Sequence, residues 1–215
     1  MENLTAVLAG TPVDTQMGVD CLTAAGLTGK AFPLSPNPRE QMAFQISPIE
    51  ERYRYARDLL CRAMDQGCSR AFIYCNSLSA VVDFPALQRE LSLRIVTPLE
   101  VYQELADSYK KLAVVAANAQ AVAGIEQVML SSNPKLDLLS VGMLQLVESI
   151  EAKMDPDRLV EHHRLTDLTQ WADQLGMEAL VLGCTHFPYF KEALCRRTDL
   201  PLIDPAQRML ELLEA

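Results

Sequence analysis

Gly67-Cys68-Ser69-Arg70-Ala71-Phe72-Ile73-Tyr74-Cys75-Asn76-Ser77 is one of two versions of a single pattern in this chain. The other is Gly176-Met177-Glu178-Ala179-Leu180-Val181-Leu182-Gly183-Cys184-Thr185-His186. Each opens on Gly, runs through apolar residues to a Cys 8 positions later (75 − 67 and 184 − 176), and passes into polar residues. A short apolar run bounded by Gly and polar residues reads as a buried parallel strand. Cys75 and Cys184 then stand just past their strand ends, 109 residues apart (184 − 75).

The repeat extends outward. Leu93-Arg94-Ile95-Val96-Thr97-Pro98 is echoed by Leu200-Pro201-Leu202-Ile203-Asp204-Pro205, an offset of 107 (205 − 98). Gln103-Glu104-Leu105 stands opposite Leu210-Glu211-Leu212, and the apolar run Thr5–Ala9 opposite Leu112–Ala116. Several landmarks in one order at nearly one offset mark a duplication. Helical patterns over 49–66, 98–111, 118–130 and 164–175 separate the strands, with Gly67 and Gly176 as stops. Alternating strands and helices predict an α/β fold. Two copies predict two pseudo-symmetric lobes, each a mainly parallel sheet flanked by helices, with the active site in the cleft between them.

The 215 residues, 49% of them hydrophobic, can fill one large domain or two small ones. A net charge of −9 and a pI near 4.8 argue against nucleic acid or an anionic membrane as partner. No apolar run approaches the roughly 20 residues of a membrane span. Leu4–Gly10 is too short for a secretion signal and has no basic segment before it. These features predict a cytoplasmic protein whose six cysteines are thiols. Cys21, Cys61, Cys68 and Cys195 read as core residues. No Cys-x-x-Cys pair exists, so no metal site is expected. His162 and His163 read as a solvated helix face.

Ligands of parallel sheets bind outside the carboxyl ends of the strands. Asn76, Ser77, Thr185 and His186, next to the two cysteines, can bind a carboxylate through side chains and backbone N–H groups. Two equivalent thiols facing one cleft suit the inversion of a stereocentre, which needs a base on one face and an acid on the other. Cys ionises close enough to neutrality to be tuned for either role. His186 could lower the Cys184 pKa or relay its proton. No GxGxxG or P-loop is visible, so no cofactor is expected. Asp14 by itself reads as a turn or helix-cap residue.

Gly183-Cys184-Thr185-His186-Phe187-Pro188 resembles the second cysteine signature of glutamate racemases, in the aspartate/glutamate racemase superfamily. Cys75-Asn76-Ser77 resembles the first, Asp14-Thr15 the Asp-Ser after the first strand, and Glu100 falls near an acidic residue of the family. The resemblance implies that Cys75 and Cys184 are the catalytic pair, assisted by Asp14 and His186. It implies substrate contacts at Thr15, Ser35, Asn76, Ser77, Gln120 and Thr185, with an amino acid as substrate. It also implies that the C-terminal segment returns to the first lobe, giving lobes of 1–98 plus 205–215 and of 99–204. Members are often dimers, so a homodimer is implied as well.

The chain departs from the family at Asp14-Thr15-Gln16 (for Asp-Ser-Gly), Pro33-Leu34-Ser35 (for Pro-Tyr-Gly) and Ala119-Gln120-Ala121 (for Gly-Thr-Val). The reaction expected is cofactor-independent racemisation of glutamate or aspartate, supplying a D-amino acid of the kind used in peptidoglycan. The same architecture also resembles hydantoin racemases and maleate isomerases. Related decarboxylases typically keep one thiol of the two. A non-catalytic amino-acid-binding member is the remaining alternative.

Overall fold

The computed structural model describes residues 4–215, so the first three residues of the expected first lobe lie outside it. The first half runs β1 (Thr5–Ala9), α1 (Pro12–Ala24), β2 (Gly29–Pro33), α2 (Pro38–Ile46), α3 (Ile49–Asp65), β3 (Arg70–Ile73), α4 (Asn76–Val81), α5 (Phe84–Leu91), β4 (Arg94–Val96) and α6 (Pro98–Ser108). The second runs β5 (Lys111–Ala116), α7 (Ala119–Ser132), β6 (Asp137–Gly142), α8 (Leu144–Glu151), α9 (Pro156–His162), α10 (Leu165–Gln174), β7 (Ala179–Gly183), α11 (Pro188–Cys195), β8 (Leu202–Ile203) and α12 (Pro205–Glu214).

The strands form two four-stranded sheets, ordered β2-β1-β3-β4 and β6-β5-β7-β8, and every pair is parallel. The α/β class and the duplication expected from the sequence are both present. Register carries the likeness further. Ala9, the last residue of β1, pairs with Pro33 of β2, and Ala116, the last of β5, with Gly142 of β6.

The inner strands explain why the sequence announced them. All five residues of β1 and all five of β7 are buried. A strand covered on both faces reads as a continuous apolar run. The edge strands β2 and β6 are only partly buried, so they lack that signature and the sequence reading did not name them. The helix stops are as expected: Gly67 has φ +88° and Gly176 φ +74°. A Cβ at either would touch nothing, so the demand for glycine is purely conformational. The helix expected over 98–111 ends at Ser108, because Lys111 already begins β5.

The chain divides into two compact units. One runs to Val101 and takes back Ala206–Ala215; the other is Tyr102–Pro205. In the first, Arg70 of β3 donates to Leu213 O (3.1 Å) and Arg94 of β4 to Leu212 O (2.9 Å). Two cations thus meet carbonyls at the C-terminal end of α12, where the helix leaves acceptors unsatisfied and its dipole is negative. The second unit is packed around Phe187 and Phe190, both fully buried with ring centroids 5.2 Å apart, together with Leu146, Leu159 and Val160.

Two sequence expectations are corrected. Of the four cysteines expected in the core only Cys68 is buried: Cys21 and Cys61 are half-buried, and Cys195 is exposed at the end of α11. His163 is half-buried with Nε2 2.8 Å from Ser149 Oγ, so only His162 is solvated. All six cysteines are free thiols, and no helix among the described residues is long and apolar enough to cross a membrane.

Candidate active site

The carboxyl ends of β1, β2 and β3 bring three loops side by side in the first unit. After β1, Thr11 takes an extended conformation and starts α1. Asp14, three residues on, folds back as the reciprocal arm of a capping box. Its carboxylate accepts from Gly10 N–H (3.0 Å), Thr11 N–H (2.6 Å) and the Thr11 hydroxyl (2.9 Å). Burial nevertheless holds the Asp14 pKa above the usual aspartate value, and the three donors only moderate that. The cap reading of Asp14 is therefore correct as local structure.

Cys75 follows β3 and is the N-cap of α4. It is buried, and its thiol is pushed up to about 11 from an ordinary 9.0. Loss of solvation is the main cause and the Asp14 charge the next. The Ser77 hydroxyl, 3.5 Å from Sγ, and the backbone N–H groups of Leu78 and Ser77 pull the other way. Resting Cys75 is thus a protonated thiol with donors already aimed at the thiolate. A carboxamide also reaches it: Gln41 of α2 donates through Nε2 to Sγ at 3.6 Å, and Gln45, one turn on, to Ser77 Oγ at 2.9 Å.

The second unit repeats the plan with different groups. Asn118 follows β5 and caps α7, its side chain accepting from Ala121 N–H (2.9 Å). Ala121 is the counterpart of Asp14 at the repeat offset of 107 (121 − 14), so no carboxylate stands there. Cys184 follows β7, is buried, and lies 3.7 Å from Nδ1 of buried His186. His186 Nε2 is buried without a hydrogen-bond partner among the described residues, and Glu151 Oε1, at the end of α8, approaches it to 3.5 Å. Burial lowers the His186 pKa and Glu151 opposes that. Tyr102, fully buried on α6, has its hydroxyl pKa raised by burial first and then by Cys184 and Asp204.

Of the residues expected from sequence, Asp14, Cys75 and Ser77 act on one another in the first unit, and Cys184 and His186 in the second. Asn76 is buried beside Cys75 in sequence, and Thr185 is half-buried beside Cys184. Thr15 gives its hydroxyl proton to Thr11 O (2.6 Å), and Ser35 to Gly10 O (2.6 Å). Both hydroxyls can then only accept from a ligand. Gln120 is exposed on the first turn of α7, and Gln16 is exposed and bonded to Asp20 (2.8 Å). The sequence reading missed Gln41, Gln45, Tyr102 and Glu151. The four-residue spacing of Gln41 and Gln45 puts both amides on one helix face, which was the only available signal.

The Asp/Glu/Hydantoin racemase family model matches residues 38–213. Glutamate racemase of Limosilactobacillus reuteri (strain DSM 20016) is 28% identical over 148 residues, 66% of this chain and 55% of that protein. That of Aliivibrio fischeri (strain MJ11) is 30% identical over 126 residues, 57% of this chain and 46% of that protein. The chain thus spans about half the length of the curated relatives it matches. Among solved structures, glutamate racemase of Francisella tularensis in complex with D-glutamate has a TM-score of 0.75 at 18% identity, covering 100% of this chain and 81% of that one. An aspartate racemase homologue from Pyrococcus horikoshii has a TM-score of 0.69 at 13% identity, covering 99% of this chain and 100% of that one.

Proposed function

The chain belongs to the Asp/Glu/Hydantoin racemase family, and from that premise we propose that it interconverts the enantiomers of an acidic amino acid, glutamate or aspartate. The observation that carries the reading is the matched placement of Cys75 and Cys184. Each is a buried thiol at the carboxyl end of the corresponding strand of its sheet, β3 or β7. Each also has its own polar assistant.

In the proposed reaction one cysteine, as thiolate, takes the proton from Cα. The electron pair left behind delocalises into the α-carboxylate, and the other cysteine delivers its proton to the opposite face. The first sulfur ends protonated and the second as thiolate, which is the starting state for the reverse direction. Ser77 and the N–H groups at the start of α4 favour the Cys75 thiolate, while Asp14 opposes it. His186, 3.7 Å from the Cys184 sulfur, would exchange a proton with it, and Glu151 would support the protonated imidazole. Asn76, Ser77 and Thr185 would hold the α-ammonium and α-carboxylate groups, with Thr15, Ser35 and Gln120 as the further contacts inherited from the family likeness. Reduced thiols and a free amino-acid substrate suit the cytoplasm, a D-amino acid for peptidoglycan suits the product, and a homodimer suits the family.

The test is solvent exchange. In heavy water the protein should place deuterium at Cα of both enantiomers of glutamate or aspartate. Cys75→Ser and Cys184→Ser should each abolish racemisation. No exchange with either amino acid, or undiminished racemisation in either variant, would reject the proposal. The family description also covers hydantoins. Exchange with a 5-substituted hydantoin, and with neither amino acid, would move the assignment to that branch.

A further inference from the structure

One polar group at the carboxyl edge of the first sheet is only lightly engaged among the described residues. Gln41 sends its side chain from α2 across Gly10, so closely that a Cβ on Gly10 would come within 2.0 Å of Gln41 Nε2 and 2.3 Å of Oε1. The 3.6 Å contact with Cys75 Sγ is its side chain's one hydrogen bond among the described residues. A carboxamide has two N–H donors and a carbonyl acceptor. A long bond to sulfur engages one donor weakly and leaves the rest open.

The helix that carries it is fixed in place. Asn37 caps α2 by accepting from Glu40 N–H (3.0 Å). Gln45 donates to Ser77 Oγ (2.9 Å), and Arg52 of α3 holds the Gln45 carbonyl (2.7 Å). The amide of Gln41 therefore sits over Gly10 and Cys75, the residues that follow the adjacent strands β1 and β3. Ligands of parallel sheets bind at that edge.

We propose that Gln41 is a substrate-binding residue whose carboxamide N–H donates to the α-carboxylate of the amino acid whose Cα faces Cys75. The inference rests on the racemase reading of that thiol. A Cα presented to Sγ for proton transfer carries its carboxylate within a few ångströms of the sulfur, where the Gln41 amide already stands. Binding exchanges a long contact to sulfur for a charge-assisted hydrogen bond of roughly 2.8 Å. The carboxylate gains charge as the Cα proton leaves, so the same donor strengthens during the reaction. Gln41 is thereby a second consequence of the glycine at position 10, since any larger residue there would expel it.

The experiment follows alkylation of Cys75 by iodoacetamide, read by peptide mass, against increasing L-glutamate or L-aspartate, with Cα deuterium exchange measured in parallel. Gln41→Met keeps a side chain of similar length over Gly10 and removes the donor. The amino-acid concentration that halves alkylation should rise roughly tenfold to a hundredfold, the worth of a hydrogen bond to a charged group. The unprotected alkylation rate should change little. Gln41→Ala should lose protection equally and also speed unprotected alkylation, because the thiol loses its cover. Protection of both variants at the wild-type concentration, with exchange intact, would overturn the role of Gln41 and leave the racemase reading standing. Wild-type protein that is neither protected nor active in exchange would remove the racemase reading and this inference with it.

Discussion

Replacing Asp14 with Asn should make Cys75 more reactive while making the first unit less stable. The thiol stands at about 11 for two reasons, burial first and the Asp14 charge second. Asn has nearly the same shape and no charge, so it removes only the second. The pKa should fall from about 11 and remain above the ordinary 9.0, because the burial is untouched. At pH 8 a thiol of pKa 11 is ionised to about one part in a thousand, and a fall of one pKa unit gives about tenfold more thiolate. Alkylation of Cys75 at that pH should accelerate by up to about tenfold. Stability should move the opposite way. Asp14 accepts three hydrogen bonds with two oxygens. Asn keeps one oxygen and turns an N–H group toward a donor, leaving a buried group unpaired at a cost of about 1–3 kcal/mol. Alkylation rates against pH, and urea unfolding of the same variant, give both numbers. A lowered urea midpoint with an unchanged or slower alkylation rate would refute the electrostatic part of the argument, since the cap would be lost without the thiol responding.

Three further outcomes are expected. The Cys75 thiol ionises near 9.0 in an unfolded chain and near 11 when folded, so its contribution to stability is whole below pH 9 and is lost as the pH climbs toward 11. Wild-type protein should therefore lose up to about 2–3 kcal/mol more than Cys75→Ser across that interval, measured by urea unfolding at each pH. Glu151→Gln removes the charge that supports protonated His186 while its burial remains, so the imidazole should titrate lower still, as read by proton NMR of the ring. Gly183→Ala brings a methyl to 2.8 Å from Ile125 Cδ1 and 3.0 Å from Val115 O. The carbonyl belongs to the neighbouring strand and cannot turn aside, so denaturation should report a loss of about 1–3 kcal/mol.

What could be read from the sequence tracks what each element buries. β1, β3, β5 and β7 were legible because inner strands of parallel sheets are continuous apolar runs, and the two cysteines were found because they end two of those runs. The edge strands β4 and β8 were found through their repeat, Leu93–Pro98 and Leu200–Pro205, whereas β2 and β6, edge strands that stay partly exposed, offered neither a continuous apolar run nor a matched repeat. α2 was missed for a related reason. Pro36-Asn37-Pro38 looks like a turn, and the buried side of the helix that follows includes the amide of Gln45, so apolar periodicity has nothing to register. Glu151 becomes visible only when α8 is folded against His186. Asp14 was legible twice, once as a cap through local chemistry and once through family likeness, and a single carboxylate serves as the cap and acts on Cys75.

The two halves share a strand order but not the group beside the sulfur: Asp14 is answered by Ala121, and Ser77 by His186. If the chain racemises an amino acid as proposed, that asymmetry would make it treat the left- and right-handed forms unequally, yet mirror images in water have identical free energies. The quotient kcat/KM would consequently be the same in both directions, whatever the pocket prefers. Preference can surface only as a trade, with the form held more tightly released from its ground state more slowly by the same factor. Progress curves begun from each pure enantiomer would therefore coincide at low concentration and separate near saturation.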